Sequence, residues 1–274
     1  MKTALLLAAM SGLTLAVGQL LGGARGLAWA GALVVVMNFV SYWFSDSLAL
    51  MMNRAQPLAP GALPWLESMV GQLAQRGGLP MPRLYVIDSP TPNAFATGRS
   101  PARAAVAVTT GLLELMDRRE LAGVLAHELA HVKNRDTLIM TIAATLAGVI
   151  AHAAQALFWW GGALLRQDDE DHSPLATLGL LIVAPVVATL LQLAISRSRE
   201  FDADAAAAQL TGDPEGLASA LARLESGNRR FPLDHSPATA HLFIVNPLSG
   251  GGLLGLFSTH PPIEARIERL LALR

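Results

Sequence analysis

The sequence contains no cysteine among its 274 residues. That absence excludes disulfides, thiol catalysis and zinc sites built from thiolates. Any metal that this chain binds must therefore be held by His, Asp or Glu side chains.

Charged residues are also scarce, at 15% of the sequence against 52% hydrophobic residues. Soluble domains carry about 25% charged residues, so this composition predicts that part of the chain lies in lipid. The net charge is only −1. No bulk attraction for nucleic acid follows from that value, and no nucleic-acid partner is expected. The sequence does not predict an oligomeric state.

Four apolar stretches are long enough to span a bilayer as helices, which takes about 20 residues. They cover residues 3–21, 27–44, 138–165 and 175–195. The first, preceded by Lys2, also resembles a secretory signal peptide, but signal cores are shorter and a second apolar stretch follows at once. A helical hairpin turning at Gly22–Gly26 is the favoured interpretation. Basic residues flanking the stretches predict that both termini and both long polar segments face the cytoplasm.

This pattern predicts a mainly α membrane protein with four transmembrane helices and a small cytoplasmic α/β catalytic domain built from two segments. The expected divisions are a transmembrane hairpin (1–44), a first catalytic segment (45–137), a second transmembrane pair (138–195) and a second catalytic segment (196–274). Within the polar segments, the spacing predicts helices over 63–76, 118–134 and 262–273 and another opening at Pro214. Short strands are predicted over 83–88 and 104–109.

The motif HELAH occupies residues 127–131. Positions i and i+4 of a helix share one face, so His127 and His131 can direct two imidazoles at one metal. Glu128 can reach a metal-activated water and take its proton. The alternative is a pair of histidines on a solvated helix face.

A catalytic zinc needs a third protein ligand and an open position. Glu200 and Asp204 lie four residues apart in a helical stretch, just beyond the fourth apolar run. Glu200 can ligate the metal, while Asp204 can accept the other N–H of a ligand histidine and so fix its orientation. The alternative is a solvated acidic helix face. The ligand types suit zinc without establishing it over other divalent metals.

Four motifs together resemble the HtpX family of bacterial heat-shock membrane proteases, which is related to the CAAX prenyl proteases. They are PNAFATG (92–98), HELAHVKNRD (127–136), SRSREFDAD (196–204) and THPP (259–262). The resemblance implies a gluzincin-type site with one zinc on His127, His131 and Glu200 and with Glu128 as base. It also implies polypeptide substrates, namely misfolded or damaged membrane proteins, and a location in the bacterial inner membrane.

The resemblance further implies that residues 93–97 line the substrate groove, with Asn93, Ala94, Phe95 and Ala96 as substrate-binding residues. An ordinary turn is the alternative. Bound substrate can pair with an exposed strand edge, and either Asn93–Thr97 or Ala104–Val108 can supply it. His260 either approaches the site to stabilise an oxyanion or caps the helix that follows.

Two other functions compete with a surface protease. In an intramembrane protease the metal motif lies inside a span, but the charged residues flanking HELAH would be costly there. In a non-catalytic membrane scaffold the fold is kept without the chemistry, and the intact Glu128 argues against that interpretation.

Overall fold

The computed structural model describes residues 2–136, 139–140, 143, 146–147, 150–151, 174–230 and 261–273. The chain forms two compact units. The first comprises Met1–Tyr42 and Ile139–Ile195, and the second comprises Trp43–Leu138 and Ser196–Arg274. The architecture is mainly helical with one small sheet, as predicted.

Seven helices and four strands have both of their ends within the described residues. The helices are α1 (Lys2–Met52), α2 (Pro64–Gly77), α3 (Thr110–Leu115), α4 (Arg118–Asn134), α5 (Pro174–Thr211), α6 (Pro214–Arg230) and α7 (Ile263–Leu271). The strands are β1 (Gln56–Pro57), β2 (Arg83–Ile87), β3 (Ala94–Thr97) and β4 (Ala105–Thr109), with a 3-10 turn at Pro101–Arg103.

The helical run of α1 is interrupted at Gly22 and Gly23, whose backbone angles are not helical. Gly23 adopts φ 54°, a left-handed conformation that glycine tolerates best. The flanking segments then approach closely, since a Cβ on Gly18 would lie 2.3 Å from the Cβ of Ala30. Across the residues that the structure describes, no helix combines the length and the apolar character needed to cross a membrane. The four predicted spans are not confirmed.

The second unit contains the sheet, with strand order β1-β2-β4-β3. The two predicted strands, β2 and β4, are present and pair in parallel. Strand β3 pairs antiparallel with β4, with Ala96 opposite Val106, and forms one edge of the sheet. Because β4 lies between β2 and β3, both of its edges are occupied. The predicted alternative that Ala104–Val108 offers a free edge is therefore wrong.

Helix α4 packs between the sheet and α6, and local sequence sets both of its ends. At its start, Asp117 accepts a 2.8 Å hydrogen bond from the Glu120 N–H, while Glu120 accepts one of 3.2 Å from the Asp117 N–H. This reciprocal capping satisfies two helix-terminal donors. At its end, Arg135 adopts φ 58° and turns the chain out of the helix. Leu121, Val124, Leu125 and Leu129 anchor α4 in the core of the unit.

Candidate metal centre

Helix α4 carries His127 and His131 one turn apart, so both imidazole rings face the same side. They are buried, with 1% and 7% of their surfaces exposed, so the alternative of a solvated face is wrong. Their Nε2 atoms lie 3.1 Å apart. Two nitrogen ligands of a tetrahedral zinc, each about 2.0–2.1 Å from the metal, lie roughly 3.3 Å apart. The observed separation therefore suits one metal ion.

Helix α5 brings Glu200 to the same point. Its Oε2 lies 3.6 Å from the Nε2 of His127, and its Oε1 lies 3.6 Å from the Nε2 of His131. The glutamate is 1% exposed. One ligand atom from each of the three residues lies within 4.8 Å of the others. Two histidines and one carboxylate are a common ligand set of catalytic zinc.

The outer nitrogens of both rings face carboxylates. The Nδ1 of His127 lies 2.9 Å from Asp204 Oδ1, and the Nδ1 of His131 lies 3.0 Å from Asp136 Oδ2. A carboxylate accepts a hydrogen bond only from a protonated nitrogen, so each Nδ1 carries the hydrogen and each Nε2 presents a lone pair. The two lone pairs then face each other, an arrangement that a cation between them stabilises. The residues present thus fit a bound metal.

Charge balance supports the same conclusion. Within the part of the chain that the structure describes, four buried carboxylates surround the histidines: Glu128, Asp136, Glu200 and Asp204. Two guanidinium groups contact these carboxylates. Arg266 pairs with Asp204 and Glu200, and Arg199 pairs with Asp136. With neutral histidines, the four carboxylates and two guanidinium groups carry two net negative charges when Glu128 is ionised and one when it is protonated. A divalent cation offsets this negative charge, which favours metal binding in a buried site.

Burial lowers the pKa of His127, which favours the neutral imidazole that a metal requires. Burial also disfavours ionisation of Asp204, but the adjacent Arg266 outweighs it and lowers the pKa of Asp204 to about 2. Asp204 is therefore a carboxylate at neutral pH and can accept the His127 N–H.

Glu128 follows His127 on α4 and is 6% exposed. Its Oε2 accepts a 2.8 Å hydrogen bond from the backbone N–H of Ala96 on β3. Burial raises the pKa of Glu128 to about 7. A general base is most effective when its pKa lies near the working pH. Glu128 therefore combines a fixed orientation with suitable basicity.

Comparison with known proteins agrees with this geometry. The family model described as Peptidase family M48 matches residues 61–274. The chain is 54% identical over 278 residues to a protein named Protease HtpX homolog from Desulfatibacillum aliphaticivorans, covering 100% of this chain and 89% of the relative. It is 52% identical to one of the same name from Desulforapulum autotrophicum, covering 98% of this chain and 88% of the relative. The chain belongs to peptidase family M48. The expected relationship to HtpX proteases is confirmed, and the protein is a zinc-dependent metalloprotease.

A solved structure extends the comparison to the fold. The crystal structure of S. mikatae Ste24p matches with a TM-score of 0.60 and 19% identity, over 96% of this chain. The match spans 62% of the Ste24p chain, so this M48 protein corresponds to part of the larger one.

Strand β3 of this M48 protein contains Ala94, Phe95 and Ala96, with Asn93 immediately before it. All four are buried. The Thr109 N–H donates to the Asn93 carbonyl at 2.9 Å, so this pair is a hydrogen-bonded pair of the antiparallel ladder. Such pairs alternate along a strand, so the backbone groups of Ala94 and Ala96 point away from β4. The Ala96 N–H confirms that direction by reaching Glu128.

The structure places three further residues at the centre that sequence reasoning missed: Asp136, Arg199 and Arg266. Asp136 lies in the motif HELAHVKNRD and Arg199 in SRSREFDAD. Asp136 contacts His131, and Arg199 contacts Asp136, so both lie at the site. Arg266 lies in α7 and carries no local signal. His260, predicted either to stabilise an oxyanion or to cap a helix, lies outside the described residues.

Proposed function

We propose that this chain is a membrane-bound zinc endopeptidase in which His127, His131 and Glu200 hold the metal and Glu128 is the general base. The observation that carries the proposal is the convergence of three buried ligand atoms within 4.8 Å beside a buried carboxylate of raised pKa. Glu128 also interacts electrostatically with His131 and Glu200, which is consistent with a base beside these ligands.

Zinc bound there supplies the Lewis acidity that makes water acidic near neutral pH. Glu128 accepts a proton from the attacking water as its oxygen bonds to the scissile carbonyl carbon. The same carboxyl then returns the proton to the leaving amine, and the C–N bond breaks. The Ala96 N–H holds one Glu128 oxygen during this exchange, and Asp204 keeps His127 in its ligand tautomer.

Cleavage of an unfolded protein such as casein by the purified full chain tests this function. Turnover should stop with a chelator and return with zinc. Glu200→Ala should lose both zinc and turnover, whereas Glu128→Gln should lose turnover alone. Turnover that survives complete zinc removal would refute the proposal.

We also propose that β3 is the substrate-binding edge, with Asn93, Ala94, Phe95 and Ala96 forming the groove. A protease acting on varied unfolded chains needs contacts that every peptide offers, and backbone hydrogen bonds provide them. Strand β3 lies at the end of the sheet, and its outward groups at Ala96 already meet the base. A peptide paired there would bring its scissile bond beside Glu128.

Proline variants test the edge, because proline removes one N–H donor. Ala94→Pro removes the outward N–H of residue 94 and leaves the Glu128 contact intact. Ala96→Pro removes the outward N–H of residue 96, which is also the donor to Glu128. Each should keep zinc and reduce kcat/KM, and Ala94→Gly and Ala96→Gly, which keep the N–H, are the matched controls. Ala105→Pro lies in the central strand and should unfold the unit instead. Wild-type cleavage by folded Ala94→Pro and Ala96→Pro would exclude this edge.

A membrane location with four spans and cytoplasmic termini completes the proposal. It is supported by the apolar runs of the sequence and by large apolar side chains exposed in the first unit. These include Trp29 (77% exposed), Val35 (68%), Phe39 (59%) and Ile182 (61%). Such exposure is costly in water and favourable in lipid. Misfolded or damaged membrane proteins are then the nearest substrates.

The cysteine-free chain allows this topology to be mapped with single cysteines. Ser68 and Ser226 are exposed in the second unit. Cysteine at either should react only from the cytoplasmic side in intact cells, and cysteine at Ser173 only from the opposite side. Labelling of Ser173 and Ser226 from the same side would contradict the four-span arrangement.

A further inference from the structure

Arg266 is the largest fully buried side chain of the described residues, with 0% of its surface exposed. It projects from α7 into the metal centre. Its Nε and Nη2 atoms lie 2.8 Å and 2.7 Å from the two carboxylate oxygens of Asp204. Its Nη1 atom lies 3.1 Å from Glu200 Oε2. One guanidinium thus holds two carboxylates that serve different purposes at the site.

The geometry of this contact is specific to arginine. The fork-to-fork pairing with Asp204 fixes both oxygens of that carboxylate, and the remaining nitrogen is left to reach Glu200. Lysine has a single point charge and cannot make three such contacts from one position. The Nη2 atom also lies 3.5 Å from both ring nitrogens of His127, so the guanidinium contacts the whole His127–Asp204 pair.

Burying a guanidinium is costly unless charged partners compensate it. The rest of α7 packs through apolar residues, among them Ile263, Ile267 and Leu270. A leucine at position 266 could serve that packing alone. The three polar contacts therefore indicate a role directed at the site and not at the helix.

We propose that Arg266 is a positioning residue of the metal centre, which acts through Asp204 and Glu200 to hold His127 and the third ligand in their metal-binding geometry. The proposal rests on the assignment of His127, His131 and Glu200 as ligands. It makes α7, which carries no ligand, a necessary part of the zinc site.

The test compares Arg266→Gln, Arg266→Lys and Arg269→Gln in the full-length protein in detergent. Arg269 lies in the same helix, stacked 4.2 Å over the Phe201 ring, and is the matched control. Zinc affinity is measured by competition with a chromophoric chelator, ligand geometry by the visible absorption of the cobalt-substituted protein, and folding by thermal unfolding of the metal-free form. None of these measurements depends on turnover.

Arg266→Gln should weaken zinc binding about 10–100-fold, as loss of a group that orients a ligand does, and should change the cobalt spectrum. Arg266→Lys should recover part of the affinity, and Arg269→Gln should match the wild type. Because Arg266 acts through Asp204, the two substitutions should not be independent. The double variant Arg266→Gln/Asp204→Ala should lose less zinc affinity than the product of the two single fold-losses.

Wild-type zinc affinity and an unchanged cobalt spectrum in Arg266→Gln would overturn the proposal. If both Arg266 variants were unfolded with and without zinc, the proposal would also be overturned, because Arg266 would then be required for folding itself. Failure of the ligand assignment itself has a different signature, namely undiminished zinc affinity in Glu200→Ala.

Discussion

Replacement of Glu128 by glutamine separates the proposed catalytic role of this residue from its structural one. Glutamine keeps the size of the side chain and retains an oxygen that can accept the Ala96 N–H now bound at 2.8 Å. It cannot take a proton from water at neutral pH. A positioned general base contributes about 10²–10⁴ in rate, so the barrier should rise by roughly 3–5 kcal/mol with zinc content unchanged.

The same substitution should stabilise the metal-free protein at alkaline pH. Burial raises the pKa of Glu128 from 4.5 to about 7. Folding is therefore favoured while this carboxyl is protonated. As pH rises from about 4.5 to about 7, the unfolded chain loses the proton first and stability falls, with no further loss above that range. At about 1.4 kcal/mol per pKa unit, the full penalty is on the order of 3 kcal/mol, and glutamine does not incur it.

Unfolding of chelator-treated wild type and Glu128→Gln at pH 5 and pH 8 measures this difference. The difference in unfolding free energy between Glu128→Gln and wild type should be larger at pH 8 than at pH 5, in favour of the variant. Glu114→Gln, which alters an exposed carboxylate, should show no such change. Equal stability of the two proteins at pH 8 would refute the buried, high-pKa carboxyl. Near-normal turnover in Glu128→Gln would refute the base assignment independently.

Other perturbations test the ligands and the packing that supports them. Glu200→Ala should abolish stoichiometric zinc, measured by metal analysis, and Asp204→Ala should only weaken zinc affinity about 10–100-fold; equal behaviour of the two would contradict their different roles. Gly123→Ala should destabilise the protein by about 1–3 kcal/mol, because its Cβ would lie 2.8 Å from the Leu217 backbone nitrogen. Gly71→Ala meets nothing closer than 3.8 Å and should raise Tm instead, so the two glycines must respond in opposite directions.

The helical part of the site was predictable because it follows short-range rules. His127 and His131 are one turn apart, as are Glu200 and Asp204, and each pair shares a helix face. Asp117 caps the start of α4, and Pro214 is the first residue of α6, so both helices begin where the sequence predicts. Strands β2 and β4 were also predicted from their apolar, β-prone residues. The order of the strands was not, because pairing depends on contacts distant in sequence.

The residues that sequence reasoning missed act through longer-range or irregular geometry. Asp136 lies five residues after His131, a spacing that no regular helix face brings together. It returns to the histidine only because Arg135 leaves the helix in a left-handed conformation. Arg266 meets Asp204 from 62 residues away and His127 from 139 residues away. Neither contact has a local pattern, so only the fold reveals it.

The proposed ligands His131 and Glu200 are separated by roughly 70 residues of chain. A zinc ion held between them ties two distant points together, as a disulfide would in a protein that had cysteines. Unlike a disulfide, zinc does not stay bound when the chain unfolds, because the unfolded chain does not assemble the site. It therefore stabilises the folded state through its binding free energy, by about 4 kcal/mol when free zinc is at roughly 1,000 times its Kd. Bound zinc then stabilises this cysteine-free fold in addition to supplying the Lewis acidity for hydrolysis. Its removal should expose the second unit to proteolytic nicking before any irreversible unfolding is seen.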